Sequence, residues 1–201
     1  MPFRSCRERY SDFLCHSFLA AANWSPAQAP KGGDTLIMAK EVTLAPCEFD
    51  FGSAGLTISN SAKVVSKTTF KGSGKLVKDG AGRFQNDYVC KHTGGTLILD
   101  GEIYQNARYE NNKDGTQTKY PLGTGQIEIR RSATTAPLLN LQNYCYVHSP
   151  ILVSGPYTAN QRSFFENNNP NVYGLITAED DFLAYCGWSN GTTAGAGFRG
   201  G

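Results

Sequence analysis

Three leucines, Leu56, Leu76 and Leu97, stand 20 and 21 residues apart, and each heads a short segment in which apolar residues alternate. "LTIS" puts Leu56 and Ile58 on one face and Thr57 and Ser59 on the other. "TLILD" places Leu97 and Leu99 together, although Ile98 makes its second face apolar too. "QIEIRR" is the cleanest case, with Ile127 and Ile129 on the inner face and Gln126, Glu128 and Arg130 on the outer. Alternation with a period of two over four to six residues predicts half-buried strands. Further segments begin at Ile127, Leu139, Ile151, Leu175 and Phe182. Strands that recur at the length of one coil predict a β-solenoid, in which each coil stacks on the one before it. The expected fold is therefore all-β, a solenoid from residue 35 to residue 201. Leu56, Ile58, Leu76, Leu97, Leu99, Ile127 and Ile129 are expected to point inward in stacked ladders. Asp79-Gly80 and Asp100-Gly101 close hairpins equally well, so at this level a sandwich stays open.

The composition agrees with many short strands and turns. Twenty-two glycines punctuate a chain of 201 residues that is rich in Thr, Ser and Asn. Nineteen basic residues against 17 acidic ones leave a net charge of +2. That balance supplies no electrostatic footprint for a nucleic acid. The longest apolar run, Phe18 to Ala22, is far too short to span a bilayer. Residues 1–34 read as a leader, poorly ordered or a degenerate export signal. Arg4, Arg7 and Arg9 precede a weakly apolar stretch, and Ala27-Gln28-Ala29 has the small-x-small form of a cleavage site. Glu8, Asp12 and His16 are out of place in such a signal.

The six cysteines, Cys6, Cys15, Cys47, Cys90, Cys145 and Cys186, form no C-x-x-C pair. Cys90-x-His92 and Cys145-x-x-His148 each offer two metal ligands, but a structural zinc site uses tighter pairs. They read as small buried hydrophobic residues, with room for one disulfide. No metal and no cofactor is expected.

"GSGKLVKDGAGRF" at 72–84 tests a nucleotide reading. A phosphate loop needs G-x-x-x-x-G-K-[ST], and here Leu76 stands where the hydroxyl belongs and Thr69 where the first glycine belongs. Val77 likewise breaks G-x-G-x-x-G. The same stretch, followed by "TGGTLILDGEI" and "PLGTGQIEI", resembles the autotransporter-associated β-strand repeat of bacterial surface proteins. Gly72, Gly74, Leu76, Lys78, Gly80 and Gly82 fall on its first half, Tyr88 on its spacer aromatic, and Gly94, Gly95, Thr96 and Leu97 on its second half. The likeness covers residues 70–130 well and 35–190 loosely. It implies a right-handed parallel β-helix, a passenger-type module at the bacterial cell surface, in the outer membrane or secreted. In that reading the module is non-catalytic and serves as stalk or adhesin. The glycines then turn the chain at coil corners. The expected partners are host or environmental glycans or proteins, and further coils of the parent chain. A nucleic acid or a nucleotide is not expected. The ending "AGAGFRGG" lacks the look of a cap, so the chain reads as a fragment of a longer solenoid that frays from Trp188 to Gly201.

Polysaccharide lyases and hydrolases share this architecture, and they form the rival reading. Glu179-Asp180-Asp181 is the one acidic cluster, and it resembles the paired aspartates of β-helical pectin hydrolases. The Asn-Thr-Asp, Gly-His-Gly and Arg-Ile-Lys motifs of those enzymes are absent from the sequence. The cluster is expected to be a solvated turn, His92 and His148 are expected to be surface or structural, and no catalytic residue is assigned. A third reading, a carbohydrate-binding module, rests on Tyr104, Tyr109, Tyr120 and Trp188 as stacking surfaces.

Overall fold

The computed structural model describes residues 3–6, 19–106, 120–142, 145–156, 162–167, 171–181 and 183–187. These residues build a parallel β-solenoid, with a 3-10 turn at Ala21–Asn23 as the one helical element among them. Its first sheet stacks Thr35–Met38, Leu56–Asn60, Leu76–Asp79, Thr96–Ile98, Ile127–Arg130, Ile151–Ser154 and Ile176–Ala178 in sequence order. The second stacks Val42–Asp50, Val64–Gly72, Arg83–Asn86, Glu102–Gln105, Leu138–Gln142, Arg162–Asn167 and Leu183–Gly187 in the same order. A third, shorter side is made by Lys91–His92 against the end of Val64–Gly72, a bridge from Cys90 to Leu122, and Tyr146–Val147 against Asn171–Val172. The chain passes through both main sheets once per coil, and every pairing between coils is parallel. Hairpins, and with them the sandwich, are thereby excluded for these strands.

The register explains the spacing. Leu56 pairs with Leu76, Leu76 with Thr96, Thr96 with Ile127, and Ile127 with Ile151. The long step from Thr96 to Ile127 holds extra chain after the strand Glu102–Gln105, and residues 107–119 of it lie outside the described residues. Extra chain is thus accommodated between strands, and the ladders keep their phase.

Inside, apolar side chains stack in columns. One column runs Leu36, Ile58, Lys78, Ile98, Ile129 and Val153, a second Leu56, Leu76, Thr96, Ile127 and Ile151, and all of these are buried. On the facing sheet Val42, Val64, Phe84, Ile103 and Leu139 do the same.

Leu56, Ile58, Leu76, Ile127 and Ile129 point inward as expected. Leu97 and Leu99 do not, because register and burial put Thr96 and Ile98 on the interior instead. Leu97 lies in the outward column of Val77 and Glu128, where it is nonetheless 8% exposed, and Leu99 is half-buried. Three apolar residues in a row carry no phase of their own, and a one-residue slip exchanges the faces. Truncating Ile98 to Ala should therefore cost about 2–4 kcal/mol, while Leu99→Ala costs about 1 kcal/mol or less. Urea midpoints of the two variants check the assignment, and equal losses would reverse it.

Upstream of residue 35, Phe3–Cys6 pairs in parallel with Thr35–Met38, and Trp24–Ser25 pairs antiparallel with Phe3–Cys6. Trp24 is buried against the first coil. These parts of the segment read as a leader thus extend the first sheet. Among the described residues the second sheet ends at Val42–Asp50, whose register shifts between Leu44 and Cys47, around Pro46. A bulge and a proline are what blunt an edge strand against pairing with another chain. Trp188 to Gly201 lie outside the described residues.

Candidate functional site

The polar residues that a chemical site would need are distributed along the solenoid. At the corner from the first sheet to the second, the chain turns and its carbonyls leave the ladder. Gly80, Gly101 and Gly155 hold positive φ there, at 75°, 65° and 80°. Buried donors reach those carbonyls from inside. Asn60 Nδ2 donates to Ala62 O at 2.7 Å and to Arg83 O, one coil on, at 3.0 Å. Lys78 Nζ donates to Asp79 O at 2.7 Å, Gly80 O at 2.5 Å and Asp100 O, one coil on, at 3.1 Å. Arg131 donates through Nη2 to Gly155 O at 2.7 Å and through Nη1 to Asp181 O at 2.5 Å. Each donor therefore ties its own coil to a later one where the sheet ladder gives out. Lys78 is only 1% exposed, and burial pushes its ammonium down to about 8, against the opposing pull of Asp100, Asp79 and Glu102.

The corner from the second sheet to the third side repeats the device with neutral groups. Asn86 Nδ2 donates to Gln105 Oε1 on the next coil at 2.9 Å and to Tyr88 O at 2.5 Å. Cys145 Sγ lies 2.8 Å from Gln142 O and 3.4 Å from Gln105 O.

The outer face of the second sheet carries the densest polar and aromatic surface. Arg83 Nε donates to Glu102 Oε2 at 2.5 Å, and its guanidinium stands 4.7 Å from the Tyr104 ring centroid. Asn140 Nδ2 donates to Glu102 Oε1 at 2.6 Å, and Gln142 Nε2 donates to Asn140 Oδ1. Beside them, Gln85 Nε2 and Asn106 Nδ2 both donate to Asp87 Oδ1, at 2.8 and 3.1 Å. In parallel strands about 4.8 Å apart, side chains of one column are neighbours by construction. Arg83–Glu102, Asn140–Glu102 and Asn106–Asp87 bond along the axis from coil to coil, while Gln142–Asn140 and Gln85–Asp87 brace side chains within one coil.

Glu179, Asp180 and Asp181 lie together and exposed. Each of the three engages the chain around it. Glu179 Oε2 accepts from Gly155 N at 3.1 Å, Asp180 Oδ1 accepts from Asp181 N at 2.8 Å, and the Asp181 carbonyl takes Arg131. His92 is buried and bonds Thr96, whereas His148 stacks on Tyr173 with ring centroids 4.6 Å apart. Tyr104 belongs to the second sheet, and Tyr120 packs 5.8 Å from His148 at the third side, so these two stacking candidates serve different sides. Tyr109 and Trp188 lie outside the described residues.

Cys47, Cys90 and Cys145 are free thiols. Burial pushes the thiols of Cys90 and Cys145 up to about 12, so both stay protonated and inert. Cys90 meets Asn86 and His92 meets Thr96, so that pair does not converge. Among the described residues no three His, Cys, Asp or Glu side chains gather as a metal site, and no helix is long and apolar enough to cross a membrane.

The sequence reading missed the inward donors Asn60, Lys78 and Arg131. Lys78 occupies a repeat position that alternates with Leu76, so its phase alone marks it as interior. Comparison of the chain with known protein families, with curated proteins and with solved structures finds no match in any of the three.

Proposed function

We propose that this chain is a non-catalytic repeat module of a bacterial exported or surface-displayed protein, of the passenger type, acting as stalk or adhesin. The observation that carries the reading is where the polar side chains spend their hydrogen bonds. Asn60, Lys78, Arg131, Asn86 and the Arg83–Glu102–Asn140 series each join one coil to another. An active site needs groups that converge on one reacting atom and keep donors or carboxylates in reserve. A stalk needs its coils locked along one axis. The likeness of 70–130 to the surface-protein repeat supports the same reading and supplies the exported location. Glycans or proteins are the partners such a flank would meet.

One screen separates stalk, adhesin and the rival polysaccharide hydrolase or lyase. The purified chain is incubated with a glycan panel, and both retention and cleavage are read. Cleavage is expected to stay at background for the wild type and for the Asp180→Asn, Asp181→Asn double variant. Cleavage by the wild type that disappears in that variant would establish the enzyme reading and overturn this one.

A further inference from the structure

The column Leu56, Leu76, Thr96, Ile127, Ile151 is apolar except for one hydroxyl. Thr96 is tolerated there because it has two partners. Thr96 Oγ1 donates to Leu122 O, on the next coil, at 3.1 Å, and sits 3.0 Å from His92 Nε2. A hydroxyl has one proton, and the carbonyl takes it, so Thr96 accepts from His92. That fixes the imidazole as the Nε2–H tautomer, with Nδ1 as an acceptor. Nδ1 is buried and makes no hydrogen bond.

The surroundings offer a second proton little. The ring is 0% exposed, lies 5.7 Å from the Phe51 ring, and abuts Gly123, where an added Cβ would come 3.0 Å from its Cε1 and 3.1 Å from its Nδ1. Against it stand the Phe51 ring, the Thr96 hydroxyl, Gly123 and the Gly95 carbonyl, and none of these is charged. Its chain neighbour Lys91 is exposed to solvent. No carboxylate favours the imidazolium; burial holds the ring at about 4, with the Gly95 carbonyl opposing it only in part.

We propose that His92 is an acid-sensitive joint: an imidazolium in the closed solenoid would be buried with no carboxylate beside it, so acid opens the His92–Thr96–Leu122 corner while the coils on either side stay folded. The sign follows from which state takes the proton. The opened corner binds it near the ordinary histidine value of 6.5 and the closed one only near 4, so opening grows as pH falls through that window. At pH 4.5 the local opening equilibrium should rise about 60-fold over its value at pH 7, approaching one decade per unit between 6.5 and 4.

Hydrogen exchange of the whole chain, corrected for intrinsic rates, tests this at pH 7 and pH 4.5. Amides of residues 91–98 and 122–124 are expected to lose protection at pH 4.5, while those of 56–60 keep theirs. His92→Gln keeps an amide donor for Thr96 without a titrating group, and it should abolish the acid response. A response spread evenly over all coils, or one that persists in His92→Gln, overturns the proposal. Should that variant not fold, NMR titration of the wild-type ring decides. An Nε2–H tautomer that resists protonation to below pH 5 supports the joint, and free titration near 6.5 with unchanged exchange refutes it.

Discussion

Adding a single methyl group at Gly94 is expected to cost about 3 kcal/mol or more, enough to leave much of a marginally stable chain unfolded. A Cβ built on Gly94 falls 2.3 Å from Gly74 O, 2.3 Å from Ser73 O and 2.4 Å from Gly74 C. All three are backbone atoms of the coil beneath. They cannot swing aside as a side chain would, because Gly74 is itself packed 2.3 Å from the backbone of Gly55 by the same measure. The clash would pass down the stack. Gly52 provides the control. It has φ of +60° with nothing within 4 Å of its would-be Cβ, so Gly52→Ala should cost only the left-handed penalty of about 1–2 kcal/mol. Urea unfolding of the two variants reads the difference. Near-equal midpoints would mean that the corner glycines serve conformation alone, and that coil-to-coil contact does not require them.

That contrast also shows what the sequence could and could not convey. Glycine two residues before a first-sheet strand recurs at Gly74, Gly94, Gly125 and Gly174, and the repeat likeness picks out the first two. The spacing and the alternation pointed to stacked coils but left a sandwich open, and the parallel pairing of the strands excludes it. They were not enough to set the phase of "TLIL", because three apolar residues together look the same from either face. What decided it is non-local: the carbonyl of Leu122, 26 residues away, satisfies the Thr96 hydroxyl and lets a polar residue face inward. The corner donors were hidden for the same reason. Asn60 and Lys78 stand on the inward phase, but as polar residues their place inside is explained only when the register brings a carbonyl of a later coil within reach, as it does for Arg131, 23, 22 and 50 residues on. The outer network from Arg83 to Gln142 depends on the same stacking. Pattern gives the coil, and stacking gives the contacts between coils.

Lys78→Ala is expected to be the most damaging side-chain truncation at these corners, at about 3–5 kcal/mol, and the comparison with Lys78→Met separates its causes. Two effects oppose each other at neutral pH. Holding the ammonium inside costs about 3 kcal/mol, from a fall of the lysine from 10.5 to about 8 at 1.36 kcal/mol per unit. Against that, Nζ satisfies three carbonyls, and an orphaned buried acceptor costs about 1–3 kcal/mol. Asp79, Gly80 and Asp100 are only half-buried, so water can reach some of those carbonyls when the lysine is gone. Lys78→Met keeps the packed stem, removes both the charge and the donors, and should therefore lose no more than about 2 kcal/mol. Lys78→Ala also loses the stem and leaves a hole in the column between Ile58 and Ile98. The pH dependence gives an independent check. Between about 8 and 10.5 the unfolded chain holds this proton and the folded chain does not, so stability from this residue rises with pH through that window. The wild type should gain on Lys78→Met between pH 7.5 and 10, in parallel denaturant titrations that cancel every other titrating group. A gap between the two that stays flat with pH would show that the ammonium is not desolvated, and that the corner is held by the stem alone.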